Sequence, residues 1–208
     1  MKALAKAILN ILATVCILPA LLLYWMSAAA VGKNRALEGS SQLLAPLPGM
    51  PGVFLRRAFL MRVLARCHAS AEISYGTLFS QTGAILDEDV YVGPRCQLGW
   101  VHLERDVLLA AGVHIPSGGQ THAFDDPTRP IREQGGERKL VTIGAGAWIG
   151  SAAIVLADVG KGTIVGAGSV VTKPLPDNVI AAGVPAKVIR PRFPDVSSDP
   201  AALEPANR

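Results

Sequence analysis

From Ile143 to Lys173 an aliphatic residue recurs at a step of six, each followed by a small one: Ile143, Ile149, a shortened step through Val155, then Val159, Val165 and Val171. A period of six matches neither the 3.6 of a helix nor the alternation of a half-buried strand. It predicts an all-β solenoid, a parallel β-helix in which each step makes one flat side and one corner of a triangular coil. The aliphatic residue fills the interior, and glycine permits a corner that a β-carbon would obstruct. The same count begins earlier at Ile73, Phe79 and Ile85, re-phases to Leu86, Val92 and Leu98, drops one residue, and continues through Leu103, Leu109 and Ile115. It then fails from Pro116 to Thr142 and resumes at Ile143, so residues 116–142 read as an inserted loop.

The N-terminal third follows other patterns. Ala7 to Val31 carries no charge, and only Asn10, Thr14 and Ser27 are clearly polar. Such a run suits a transmembrane helix, a re-entrant hairpin bent at Pro19, or a secretory signal ending at Ser27-Ala28-Ala29-Ala30. Residues 1–38 are therefore expected to form a membrane anchor, with Lys2, Lys6, Lys33 and Arg35 flanking it. Residues 39–52 are rich in Pro and Gly and read as a connector. Val53 to Arg66 alternates apolar residues with Arg56, Arg57, Arg62 and Arg66. It reads as a short amphipathic helix that either lies in a membrane interface or caps the open end of the solenoid. The organisation expected is an anchor over 1–38, connector and helix over 39–70, the repeat domain over 71–192, and a loose tail over 193–208.

Charge sharpens this division. The net charge is +4, but residues 1–66 hold eight Lys and Arg against the single acid Glu38, a balance of +7. The basic character thus sits beside the apolar run, which points to an anionic membrane surface rather than to nucleic acid. Only 5% of residues are aromatic, as an interior of small aliphatics requires. Cys16, Cys67 and Cys96 are scattered, with neither a disulfide framework nor zinc spacing. No metal site and no phosphate-binding glycine loop is expected.

The segments Val141-Thr-Ile-Gly-Ala-Gly-Ala-Trp-Ile-Gly-Ser, Ile164-Val-Gly-Ala-Gly-Ser-Val-Val-Thr-Lys and Ala181-Ala-Gly-Val-Pro-Ala-Lys-Val-Ile-Arg occur in this order. They resemble the hexapeptide-repeat acyltransferases, in particular the galactoside, maltose and nodulation-factor O-acetyltransferase group. The resemblance covers residues 73–192 and not residues 1–66. It implies a left-handed β-helix, a homotrimer, and acetyl-CoA or another acyl-CoA as co-substrate, with no metal.

Acyl transfer to a hydroxyl needs a base, an oxyanion donor and a grip on the carrier. His122, in the inserted loop, matches the family's catalytic base, and the near-neutral pKa of histidine suits that task. His114, at the loop's edge, is a candidate for the acceptor pocket. His68 and His102 read as structural, and neither Asp125 nor Asp126 can be fixed from sequence as a partner for His122. The resemblance places Trp148 and Ser151 at the thioester end, the latter through its backbone N–H, and Ala167 along the pantetheine arm. It places Thr172, Lys173, Lys187 and Arg190 near the nucleotide phosphates. The expected function is a membrane-associated O-acetyltransferase. Its acceptor is a sugar hydroxyl of a surface polysaccharide or lipid-linked precursor, and it works at the inner membrane with its catalytic domain in the cytoplasm. A non-catalytic or carbonic-anhydrase-like solenoid using His102, His114 and His122, and an antibiotic-inactivating acetyltransferase, are the competing readings.

Overall fold

The structure is a computed structural model that describes residue 9 and residues 12–193. Lys2, Lys6 and the tail from residue 194 lie outside the described residues. Helices α1 (Leu18–Val31), α2 (Lys33–Leu44) and α3 (Gly49–Val63) precede a three-sided coil of very short strands. Sheet I is built from β1 (Arg66–Cys67), β4 (Ile85–Leu86), β7 (Val101–Leu103) and β10 (Val141–Ile143). Sheet II holds β2 (Glu72–Ile73), β5 (Tyr91–Val92), β8 (Leu108–Leu109), β11 (Trp148–Ile149), β13 (Ile164–Val165) and β15 (Val179–Ala182). Sheet III holds β3 (Leu78–Phe79), β6 (Gln97–Leu98), β9 (His114–Ile115), β12 (Ile154–Val155) and β14 (Val170–Val171). All these pairings are parallel; only β16 (Lys187–Pro191) turns back antiparallel on β15 and ends the coil.

Each two-residue strand turns one residue inward, and the three-residue strands β7 and β10 turn two. Ile73, Leu86, Val92, Leu103, Leu109, Ile115, Ile143, Ile149 and Val155 are all fully buried. The coil starts one side, a third of a turn, earlier than the aliphatic count indicates, because buried Cys67 in β1 occupies the interior position six residues before Ile73. Ile85 does not fill the interior: it is half-buried on the outer face of sheet I, and Leu86 takes the inward place. The step from Phe79 is therefore seven residues long. Every irregular step falls at one corner, where sheet III passes to sheet I: Phe79 to Leu86, Leu98 to Leu103, Ile115 to Ile143, Val155 to Val159, and Val171 to Leu175. The other two corners keep the six-residue count throughout. At one of them, Gly150 follows the inward Ile149, and a β-carbon there would come within 2.5 Å of the Ala167 amide in the next coil. Close stacking of coils, not a left-handed backbone, fixes that glycine.

The N-terminal region departs from the sequence reading. Residues 33–44 form helix α2 rather than the end of an anchor and the start of a connector. Ala36, Leu37, Ser40, Ser41 and Leu44 bury one face of it against sheet III. The Ser41 hydroxyl accepts from the Phe79 amide at 2.9 Å, and Asn34 Oδ1 accepts from the Thr82 amide at 2.9 Å. The third helix begins at Gly49, tolerating Pro51 in its first turn, where no intrahelical donor is lost. It ends at Val63, and Arg66 belongs to β1.

The third helix caps the open end of the coil, and Arg56 and Arg57 point inward while Arg62 stays exposed. Arg56 is 3% exposed; its Nε donates to the Ile73 carbonyl at 3.0 Å and its Nη1 to the Leu47 carbonyl at 2.6 Å. Arg57, 5% exposed, donates to the Ala71 carbonyl and lies over the Phe54 ring. These contacts exclude the reading in which Arg56 and Arg57 meet a membrane surface. Desolvation lowers both guanidinium pKa values from the usual range. Among the described residues no helix is long and apolar enough to cross a membrane. The first helix has 14 residues, and its Tyr24 packs edge-on against Phe59 of α3.

Candidate active site

The break in the repeat is an excursion over residues 116–140, between β9 and β10, at the sheet III to sheet I corner. Ser117 ties it down. The residue is 2% exposed, its hydroxyl accepts from the Trp100 amide at 2.7 Å, and its carbonyl accepts from the Lys139 amide at 2.8 Å. The two arms are laced by Glu137 N–H to the Gln120 carbonyl (2.7 Å) and Ala123 N–H to the Gly135 carbonyl (3.0 Å). Gly136 has φ +156, and a β-carbon there would collide with the Thr121 carbonyl, immediately before His122. Further out, the Asp126 carboxylate accepts from the Thr128 hydroxyl (2.6 Å) and amide (2.9 Å). The hydroxyl bond, then the amide bond, hold its pKa below the ordinary carboxylate range. Asp126 thus serves the loop's own turn and is not an orienting partner for His122. Among the described residues His122 is exposed, and no protein group hydrogen-bonds or ion-pairs with its imidazole.

His122 faces a cleft of about 360 Å³ against sheet III. His114, outward on β9 in register with Gln97 and Ile154, lines the same cleft. The structure therefore brings together the two histidines assigned to base and acceptor pocket. Glu38 and Gln42 of α2 and Arg138 of the excursion complete the wall. Sequence reasoning missed these three. The one available signal was Glu38, the sole acid among the first 66 residues. A cleft ringed by Glu38, Gln42, Gln97, Thr121 and Arg138 suits a ligand rich in hydroxyls.

The carrier-site candidates are distributed differently. Trp148, 49% exposed, points out from sheet II in register between Leu108 and Ile164. Ser151 and Ala167 stack at the corner between sheets II and III, where the Gly168 amide donates to the Ser151 carbonyl at 2.8 Å. Lys187 and Arg190 lie exposed on β16 at the end of sheet II. Thr172 and Lys173 fall at another corner, between sheets III and I; Thr172 lines a second cleft with Lys139 and Asp158. One chain thus holds Trp148 and His122 on different faces of the prism. The other histidines are occupied: His102 Nε2 pairs with Asp87 at 2.8 Å on sheet I, and His68 Nδ1 bonds the Ser70 hydroxyl at 2.8 Å. His102 and His114 thus lie on different sheets, and among the described residues no cluster could hold a metal ion.

No family model matches the chain. It is 32% identical over 159 residues to the putative lipopolysaccharide biosynthesis O-acetyl transferase WbbJ of Escherichia coli K12, spanning 66% of this chain and 81% of that protein. The chain belongs to the hexapeptide-repeat acetyltransferase family. Another member, the galactoside O-acetyltransferase of Escherichia coli K12, is 29% identical over 163 residues, 68% of this chain and 80% of that protein. Among solved structures, a maltose O-acetyltransferase from Clostridium difficile 630 superposes with a TM-score of 0.68 at 22% identity, covering 79% of this chain and 88% of its own. A galactoside acetyltransferase in complex with coenzyme A gives 0.66 at 24%, covering 77% and 82%. The solenoid is accordingly the left-handed β-helix of this acetyltransferase family, and the chain is an acyl-transferring enzyme.

Proposed function

We propose that this protein transfers the acetyl group of acetyl-CoA to a sugar hydroxyl, with His122 as general base. The observation that carries the reading is the cleft on sheet III, where an imidazole with no partner among the described residues overlooks polar side chains suited to a polyol. In the step, His122 removes the acceptor's hydroxyl proton while the oxygen attacks the thioester carbonyl carbon. The tetrahedral intermediate then collapses, expelling the CoA sulfur, which recovers the proton from His122. The Ser151 N–H is the oxyanion donor in this scheme, with Trp148 and Ala167 along the pantetheine arm. Thr172, Lys173, Lys187 and Arg190 pair with the nucleotide phosphates.

Because Trp148 and His122 occupy different faces, the reaction needs two chains, sheet II of one against sheet III of the next. A homotrimer supplies that arrangement three times over. An outward apolar ladder on sheet II, Tyr91–Leu108–Trp148–Ile164–Ile180, supports such packing. The acceptor is a hydroxyl of a surface polysaccharide or its lipid-linked precursor; the galactoside and lipopolysaccharide relatives support a sugar of this class. Acetyl-CoA is cytosolic, so the protein works at the cytoplasmic face of the inner membrane. The test is CoA release from acetyl-CoA in the presence of soluble and lipid-linked sugars, with the product examined for an acetyl ester. Acceptor-dependent release that vanishes in His122→Ala is expected; undiminished transfer by that variant overturns the assignment.

A further inference from the structure

Helix α1 is apolar on every side yet buries only one stripe. Ile17, just before its first residue, and Leu21 and Tyr24 within it face the rest of the molecule, where Tyr24 meets Phe59 at 5.8 Å between ring centroids. On the opposite side Leu18, Leu22, Leu23, Trp25, Met26 and Val31 are each at least half exposed. A helix that is apolar all round is ordinarily covered all round, and an apolar patch this continuous marks a partner surface.

We infer that the outward face of α1 docks on an anionic lipid bilayer, with the helix lying in the plane of the interface rather than crossing it. Charge selects this occupant. Lys33 and Arg35 are exposed just beyond the helix, and Glu38 is the only acid in residues 1–66. A second copy laid on the same face would bring the same positive charge, whereas anionic headgroups complement it. Packing selects the orientation. The inner stripe is already committed to α3, so one apolar side is offered, as in helices that rest at the interface. Trp25 sits on that side, where an indole favours the headgroup boundary.

The same helix bears on the choice of acceptor, a step that rests on the transferase reading above. Through Gly32, α1 runs into α2, which carries Glu38 and Gln42 into the wall of the His114–His122 cleft. Glu38 lies about 9 Å along α2 from Gly32. Docking thus sets the cleft beside the headgroup layer and favours hydroxyls of lipid-linked sugars over freely diffusing ones.

Sedimentation of the full chain with vesicles of phosphatidylglycerol and phosphatidylcholine, and of phosphatidylcholine alone, tests the surface. Binding to the anionic vesicles that is released by alkaline carbonate is expected. Leu22→Glu/Met26→Glu should lower the bound fraction at least about tenfold, with melting temperature and transfer to a water-soluble sugar unchanged. Lys33→Glu/Arg35→Glu should remove the preference for anionic lipid. The inference is overturned if the full chain ignores anionic vesicles or resists carbonate extraction. It is equally overturned if the Leu22/Met26 variant binds as well as the parent or instead dissociates an oligomer. Loss of transfer with vesicle binding intact would count against the transferase reading alone.

Discussion

Two corners of this prism and the third obey different rules. Where sheet I passes to sheet II, and II to III, the chain advances by six residues in every coil, and glycines such as Gly144 and Gly150 let successive coils stack within van der Waals reach. Where sheet III passes to sheet I the step is seven, five, four or four residues, and once it opens into the excursion over 116–140. Confining every change of length to one corner leaves the inward ladder intact at the other two. The variable corner is then free to carry function. His122 and Arg138 hang from it, and Thr172 and Lys173 sit on it two coils later. Repetition builds the wall here, and the exception to repetition equips it.

The largest expected effect separates function from framework at the variable corner. His122→Ala should lower kcat for acetyl transfer by about 10³-fold, within the range for loss of a general base, while the melting temperature stays within error. His114→Ala should act mainly on the acceptor KM. A loss at His122 accompanied by unfolding would show that the excursion is framework after all. The converse holds on the strict side: Ile149→Ala removes a fully buried side chain and should cost about 3 kcal/mol in urea unfolding. Phe124→Ala in the excursion, where the ring is 70% exposed, should change stability by less than about 0.5 kcal/mol.

The strict corners were legible in the sequence because one physical constraint, an inward aliphatic side chain, repeats often enough to be read. Ile143, Ile149, Val155, Val159, Val165 and Val171 all fell inward as their spacing indicated. Ile85 was misplaced because two adjacent aliphatics, Ile85 and Leu86, satisfy the pattern equally, and only the seven-residue step at the variable corner decides between them. His122 was singled out through the family resemblance and His114 through its place at the edge of the break, and both line one cleft. Glu38 and Gln42 were not found, because they come from a helix whose position over sheet III depends on contacts some forty residues away in sequence, such as Ser41 with Phe79. Arg56 and Arg57 misled for a related reason. Their charge suggested solvent or lipid, whereas carbonyls at the end of α2 and on β2 accept from Arg56, and the Ala71 carbonyl and Phe54 ring hold Arg57. Sequence spacing reports periodic burial; it carries no record of which isolated polar group finds a partner.

A smaller effect probes the corners through glycine. Gly150→Ala forces a β-carbon to 2.5 Å from the Ala167 amide, and the coils must part slightly, at a cost of about 2 kcal/mol. Gly119→Ala, in the excursion, meets nothing closer than 3.8 Å and has no left-handed φ. It should be neutral or slightly stabilising, by no more than about 1 kcal/mol, through the unfolded chain. Chemical denaturation of the two variants side by side reads the difference, and equal costs would remove the distinction between tight and tolerant corners.

The smallest effect concerns the thiols enclosed by the coil. Burial pushes Cys67 from its ordinary 9.0 up to about 12 and Cys96 up to about 11, partly offset by Arg57 beside Cys67 and by the Val113 and Gly112 backbone around Cys96. The raised values mean that the folded state holds its thiol protons more tightly than the unfolded chain. The associated stability is therefore fully present below pH 9 and declines as pH climbs toward the folded values. Between pH 8 and pH 10 each thiol should remove about 1 kcal/mol of unfolding free energy, in a window below the burial-raised pKa of Tyr24. Replacing Cys67 and Cys96 by Ala lowers stability at both pH values but should flatten the slope between them; replacing Cys16, exposed ahead of α1, should leave the slope as it was. The same protonation predicts that a thiol reagent at pH 8 modifies Cys16 rapidly and the other two only as fast as the coil opens. Fast labelling of Cys96 in the folded protein would mean that a strict corner breathes as freely as the variable one, and the contrast between them would then be one of sequence and not of rigidity.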